Sequence, residues 1–195
     1  MNKFMKLASV AALASAAFAG AANAEDREFA WSMTVGGTSD YIFRGFSQTA
    51  EDPAFQMSLD ATYGIFYAGI WGSNIDFDAA NGFNEKAEID FYAGITPTMG
   101  PVTFDLGVLY YWYPGFNDGV LGAEADYVEL KAGAKGTVAE KLALAGYVYW
   151  TPDNFGETGS VVTLEGSANY TLPEVWKFTP TIGGNKQRAI YGRAF

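Results

Sequence analysis

From residue 25 onward the chain carries no apolar repeat of helical period; apolar and polar residues alternate one by one. In AFQMSLDATY (54–63), Phe55, Met57, Leu59, Ala61 and Tyr63 alternate with Gln56, Ser58, Asp60 and Thr62. In 102–113, Val102, Phe104, Leu106, Val108, Tyr110 and Trp112 alternate with Thr103, Asp105, Gly107 and Tyr111. Segments 86–95, 127–135, 141–150 and 161–170 repeat the pattern, and 28–48, 65–77 and 176–184 follow it less regularly. Successive side chains of a strand point to opposite faces, so each stretch predicts a strand with one apolar and one polar face. That makes about nine strands, with the charges inside them on the polar parity.

In 28–48 the parity runs on without a break: Trp31, Met33, Val35, Tyr41 and Phe43 on one face, and Ser32, Thr34, Asp40, Arg44 and Gln48 on the other. This predicts one long strand, with a break at Gly36-Gly37 as the alternative; Ile42 and Phe46 fall on the polar face and violate the rule. In 65–77, Asn74 and Asp76 take one parity and Trp71, Ile75 and Phe77 the other.

The links between strands fall into two sets. TAEDP (49–53), DAANGFNE (78–85), PGFNDGVLGAEAD (114–126) and TPDNFGETGS (151–160) are mostly long and acidic. Gly64, TPTMGP (96–101), GTVAE (136–140) and LPEV (172–175) are mostly short. Long loops at one end and tight turns at the other are the wiring of an antiparallel up-and-down transmembrane β-barrel, and a soluble sandwich need not produce them. An apolar face in lipid needs no protein partner, because the bilayer is its solvent. YYWYPG (110–115) and YVYWTPD (147–153) put aromatic clusters just before two long loops, and Tyr110, Trp112, Tyr113, Tyr149 and Trp150 are candidates for an interfacial girdle.

The first 24 residues have a different character. Lys3 and Lys6 precede the apolar run LASVAALASAAFAG, and Ala22-Asn23-Ala24 follows as a small-x-small cleavage pattern. This predicts a cleaved secretory signal over 1–24, a barrel over 25–184 and an atypical basic tail over 185–195. Loss of Lys3 and Lys6 from the 12 basic residues leaves ten against 22 acidic ones, a mature net charge of −12, which argues against nucleic acid as a partner. The chain has neither cysteine nor histidine. Disulfides, Ser-His triads, cysteine nucleophiles and ordinary zinc sites are thereby excluded, and the reading includes no cofactor, no metal and no catalytic residue.

The wording is also familiar. GTSDYIFRGFSQT (37–49), PAFQMSLDATYGIFYAGIWGSNIDF (53–77), EIDFYAGITPTMGPVTFDLGVLYYWYPG (88–115) and DYVELKAGAKG (126–136) resemble the TorF-family porins, the Gcw_chp family of proteobacterial outer-membrane proteins. The resemblance covers roughly residues 28–184 and implies an outer-membrane barrel of porin function in a Gram-negative bacterium; it supplies no catalytic residues. It also implies further strands after Pro180–Gly184, whereas this chain ends in NKQRAIYGRAF, so a shortened form that fails to close is a standing alternative. The expected partners are outer-membrane lipid and lipopolysaccharide, periplasmic chaperones, the barrel-assembly machinery and small polar solutes.

The lumen of such a barrel is expected to be lined by Asp40, Arg44, Asp60, Asp76, Lys86, Glu88, Asp90, Asp105, Glu129, Lys131, Lys135 and Glu165. Eight acids against four bases predict a mild cation preference. The same charges can instead pair across a small barrel and seal it. DFDAANGFNE (76–85) fails as a calcium loop, because Ala80 stands where a ligand is needed and Gly82 is misplaced. Glu88 and Asp90 share one strand face and read as lumen lining, since a glycosidase pair must flank a substrate cleft. Two functions remain: passive diffusion of small polar solutes, or a non-conducting structural or surface-interaction barrel.

Overall fold

A computed structural model describes residues 28–77, 85–116 and 124–171 in full, and the backbone of 16–19 and 181–191. The strands are β1 (Ala16–Ala19), β2 (Phe29–Thr38), β3 (Ile42–Phe43), β4 (Phe46–Ser47), β5 (Ala54–Tyr63), β6 (Phe66–Asn74), β7 (Ala87–Ile95), β8 (Thr98–Met99), β9 (Val102–Trp112), β10 (Tyr127–Ala139), β11 (Leu142–Thr151), β12 (Val161–Thr171) and β13 (Thr181–Tyr191). The nine long ones, β2, β5, β6, β7, β9, β10, β11, β12 and β13, form one antiparallel sheet in chain order, with β1 on the outer edge of β2 and β8 against β9. Each long strand therefore pairs with its neighbour in sequence, as hairpin wiring requires. Among the described residues there is no helix, and no ladder joins β13 back to β2.

Burial is inverted relative to a soluble sheet. Phe29, Trp31, Phe55, Leu59, Phe66, Leu106, Leu130 and Leu164 are exposed, with Phe29 at 67% and Leu106 at 48%. On the opposite parity Glu88 and Glu129 are 1% exposed, and Asp90 and Thr163 are buried with them. The polar face is covered because the sheet curls on itself. Phe77, just after β6, meets Phe155, just after β11, with ring centroids 5.5 Å apart. In a flat sheet the four intervening strand spacings would separate them by roughly 19 Å. The apolar core is correspondingly small and sits at the long-loop end, where Ile75, Tyr111, Tyr113, Ala125 and Tyr127 cluster.

The inner face is filled by tyrosines laid over glycines directly across the ladder. Gly69 pairs with Tyr92, Gly94 with Tyr67 and Gly133 with Tyr147. A Cβ on Gly69 would lie 2.6 Å from the Tyr92 hydroxyl, and one on Gly133 would strike the Tyr147 ring and lie 2.7 Å from the Gly146 carbonyl oxygen. Glycine is required there by close approach. Gly133→Val should lower the urea midpoint of unfolding by the equivalent of about 1–3 kcal/mol. Gly166→Val, where nothing lies within 4 Å of an added Cβ, should leave that midpoint nearly unchanged. Equal effects at the two sites would refute the tyrosine-over-glycine account.

The structure corrects two sequence expectations about elements. Residues 28–48 are not one strand: β2 ends at Thr38, and β3 and β4 form a separate small hairpin. Its turn, Arg44-Gly45, has positive φ at both residues (49° and 92°), the geometry of a type I′ hairpin. At the other end β13 spans 181–191 rather than 176–184, so residues 185–191 of the expected tail continue the ladder. Residues 176–180, LPEV (172–175), most of the expected signal, nearly all of DAANGFNE and residues 117–123 of PGFNDGVLGAEAD lie outside the described residues. The loop asymmetry is retained: the connections 39–53, 75–86, 113–126 and 152–160 lie at one end, and 64–65, 96–101 and 140–141 at the other.

Candidate functional site

The interior of the curl holds two polar layers. The upper one is organised by the β3–β4 hairpin, which leaves β2 and folds inward. Asp40 fixes its base by accepting hydrogen bonds from the Ser47 hydroxyl at 2.6 Å and the Thr49 hydroxyl at 3.1 Å. The backbone N–H of Gln48 donates to the Tyr41 carbonyl at 2.7 Å, and that of Asp76 to the Gln48 carbonyl at 2.8 Å. So held, the hairpin sends two side chains across the interior. The Arg44 guanidinium makes a two-pronged bond to Glu129 on β10, 2.7 Å at each prong, and the Tyr41 hydroxyl donates to Glu88 on β7 at 3.0 Å.

The surroundings tighten both clamps. Tyr111 donates to Glu129 at 3.0 Å and stacks on Tyr127 with centroids 4.4 Å apart. The guanidinium lies over the rings of Phe43 at 4.6 Å and Tyr149 at 5.5 Å. Burial by itself would lower the Arg44 pKa, but the hydrogen bonds and negative charge of Glu129 outweigh it, and the net shift is upward. Arg44 is a fixed positive charge. The Tyr41 phenol is pushed far above its ordinary range, first by burial and then by the Glu88 carboxylate. The Asp90 oxygen Oδ1 and the Thr163 hydroxyl are buried without a hydrogen-bond partner among the described residues.

The second layer lies nearer the short turns. Lys131 pairs with Asp105 at 2.8 Å, and the Tyr67 hydroxyl donates to the same carboxylate at 2.8 Å. Asp60 accepts hydrogen bonds from Ser58 at 2.8 Å and from Tyr92. A cavity of about 280 Å³ opens beside Asp60, Asp105, Lys131 and Tyr67. A second, of about 260 Å³, lies at the long-loop end between the hairpin and the aromatic side chains of Phe77, Tyr113 and Phe155.

Of the twelve lumen candidates, Asp60, Glu88, Asp90, Asp105, Glu129, Lys131 and Glu165 stand on strand positions facing the interior. Arg44 reaches the interior from a hairpin turn and pairs with Glu129, not with Asp40. Asp40 is a hairpin brace. Asp76 and Lys86 lie outside the strands and pair with each other at 2.9 Å, both substantially exposed; the inward parity of β6 is that of Tyr67, Trp71 and Ser73, so Asp76 follows Asn74 on the outer one. Trp71 faces inward, with an edge contact to Tyr41 at 5.3 Å. Lys135 keeps the inward parity but is exposed near the turn end of β10. In the expected girdle, Tyr110, Trp112 and Trp150 are exposed on the outer face. Tyr113 is buried in the aromatic cluster and Tyr149 faces inward toward Arg44. Adjacent strand residues point oppositely, so the pairs 112–113 and 149–150 each had room for one girdle member only.

The sequence reading put Tyr41 on the apolar face and gave no interior role to Tyr67, Tyr127 and Tyr147, whereas Tyr92 and Tyr111 already stood on the polar parity. The usable signal was glycine on the polar parity of one strand opposite tyrosine on the next, an arrangement known to shield glycine in sheets.

An antiparallel sheet with exposed apolar side chains outside and paired charges inside defines a class: an inside-out β-protein with a plugged interior. The family model described as "Bacterial protein of unknown function (Gcw_chp)" matches residues 21–191, and the chain belongs to that family. The match runs through β13 and past residue 184, beyond the reach of the sequence resemblance. No curated protein and no solved structure matches the chain.

Proposed function

We propose that this protein is an outer-membrane β-barrel of the porin type, narrow, restricted at its loop end by the β3–β4 hairpin, and selective for small cations. The observation that carries this reading is the inverted burial: leucine and phenylalanine side chains line the outside of every fully described long strand pair, while Glu88 and Glu129 are sealed inside. In water such a surface is a severe aggregation liability; in a bilayer it is the stable arrangement. A bilayer leaves no strand edge unpaired, so the reading requires the outer edges of β2 and β13 to be paired there. Removal of a leader over 1–24 would free the β2 edge on which Ala16–Ala19 lie.

Selectivity follows from the interior charges. Arg44 is matched by Glu129 and Lys131 by Asp105, while Glu88, Asp90 and Asp60 carry no lysine or arginine partner among the described residues. The excess negative charge favours cations. A second reading, a barrel that never conducts, draws on the tyrosines that fill the inner face over Gly69, Gly94 and Gly133.

The refolded chain in a planar bilayer under a salt gradient distinguishes the two. Brief, small current steps that reverse on the cation side are expected. A chain that acquires the heat-modifiable gel mobility of a closed barrel and passes no current is the non-conducting barrel. A chain without that mobility shift refutes the barrel itself.

A further inference from the structure

We propose that the cavity at the long-loop end is a binding site for a small uncharged aromatic molecule bearing one hydrogen-bond acceptor. The inference goes beyond the porin reading and stands without it, since the cavity is built by side chains whether or not the sheet closes in lipid.

Size comes first. The cavity measures about 260 Å³; an engineered apolar cavity of about 150 Å³ holds benzene. The space accommodates one ring with a short substituent. Its wall is aromatic: Phe77, Tyr113 and Phe155 meet one another edge to face or tilted, at 5.7, 5.5 and 5.3 Å, and so present both ring faces and edges to an incoming ring. The hairpin adds Phe43 and Phe46 to the lining.

The polar feature is Arg44, which also lines the cavity. A guanidinium carries five N–H donors in a fixed fork. Two are spent on Glu129, and the other three have no hydrogen-bond partner among the described residues. They are held in place by the salt bridge and by the Phe43 ring, so an acceptor on the ligand meets an already oriented donor.

Charge narrows the class from both sides. The guanidinium on the wall repels a cation. An anion is no better served, because the Arg44 charge is already balanced by Glu129, with Glu88 and Asp90 buried on the same interior face. A neutral acceptor such as a ketone, ester or amide carbonyl on an aromatic ring satisfies these donors without either conflict.

The test uses the full chain in detergent and ligand-observed saturation-transfer NMR with three probes of similar size: acetophenone, benzoate and benzylammonium. Saturable binding of acetophenone is expected, about tenfold or more tighter than either charged probe. Phe155→Ala, which removes one wall, should weaken it about fivefold or more. Phe46→Ala, at a side chain already 68% exposed, repeats the test with little risk to folding and should weaken it in the same direction. Both variants are compared at unchanged circular dichroism. Tighter binding of either charged probe, or acetophenone signals that are the same in wild type and both variants, as for mere partition into detergent, overturns the proposal.

Discussion

Arg44→Ala should lower the unfolding midpoint of the protein and, on the proposed porin function, should turn the brief, small openings expected in a bilayer into long, larger ones. The substitution removes both prongs of the bond to Glu129 and leaves a carboxylate that is 1% exposed with the Tyr111 hydroxyl as its hydrogen-bond donor. Breaking one side of a buried ion pair costs about 3–5 kcal/mol, because the surviving charge has lost its partner and is still kept from water. The hairpin meanwhile keeps the Tyr41–Glu88 bond and the Asp40 brace, so it is loosened rather than unfolded. The pair Arg44→Met with Glu129→Leu separates the two roles. With no charge left to strand, stability should largely recover. The interior clamp is gone in that variant too, so the openings should stay long. Arg44→Ala with wild-type currents and a wild-type midpoint would sink the assignment of the hairpin as a plug.

The second large effect concerns the outside of the sheet. Leu106 stands at the middle of β9 with its side chain facing outward. In a bilayer, Leu106→Lys should cost about 2–4 kcal/mol, the penalty for lysine near the midplane on the lipid face of a barrel. On a water-exposed sheet the same exchange at an already exposed position would change stability by no more than about 0.5 kcal/mol. Reversible urea titration of wild type and variant in lipid vesicles reads the difference directly. A null result at Leu106, repeated at Leu130 on the neighbouring strand, would remove the membrane from the account.

The strand pairing was legible in the sequence wherever a strand keeps one parity from end to end. Ala54–Tyr63 was delimited to the residue, and β9, β11 and β12 to within one, because an apolar outer face and a polar inner face both leave their mark on every second position. The hairpin at 42–47 was hidden for the same reason that made the rest visible. The alternation of Tyr41, Phe43 and Arg44 continued the parity of β2 by coincidence, while the interruption came from Asp40 bonding to Ser47 and Thr49. Arg-Gly is also an uncommon filling for a type I′ turn, which usually takes Asn-Gly. Asp76 was misplaced because the parity of 65–77 runs the other way: Trp71, Ser73 and Ile75 face inward, which puts Asp76 with Asn74 on the outer parity, and Tyr113 continues the inward parity of Tyr111. The interior charges were found as a set, but their pairing was not. Which base meets which acid depends on the curl of the sheet, and period-two patterning is silent about curl.

The same hairpin has a consequence for the order in which the molecule assembles. The long-strand ladder joins neighbours in the chain, so its contacts close short loops and need little entropy to form. The bond from Arg44 to Glu129 spans 85 residues and exists only after β10 has curled around to face the hairpin. Its long sequence separation predicts that it forms in the last stage of folding, after the barrier. An interaction of that kind leaves the rate of assembly alone and slows the rate of loss. The clamp between Arg44 and Glu129 is, in kinetic terms, a latch on the finished molecule.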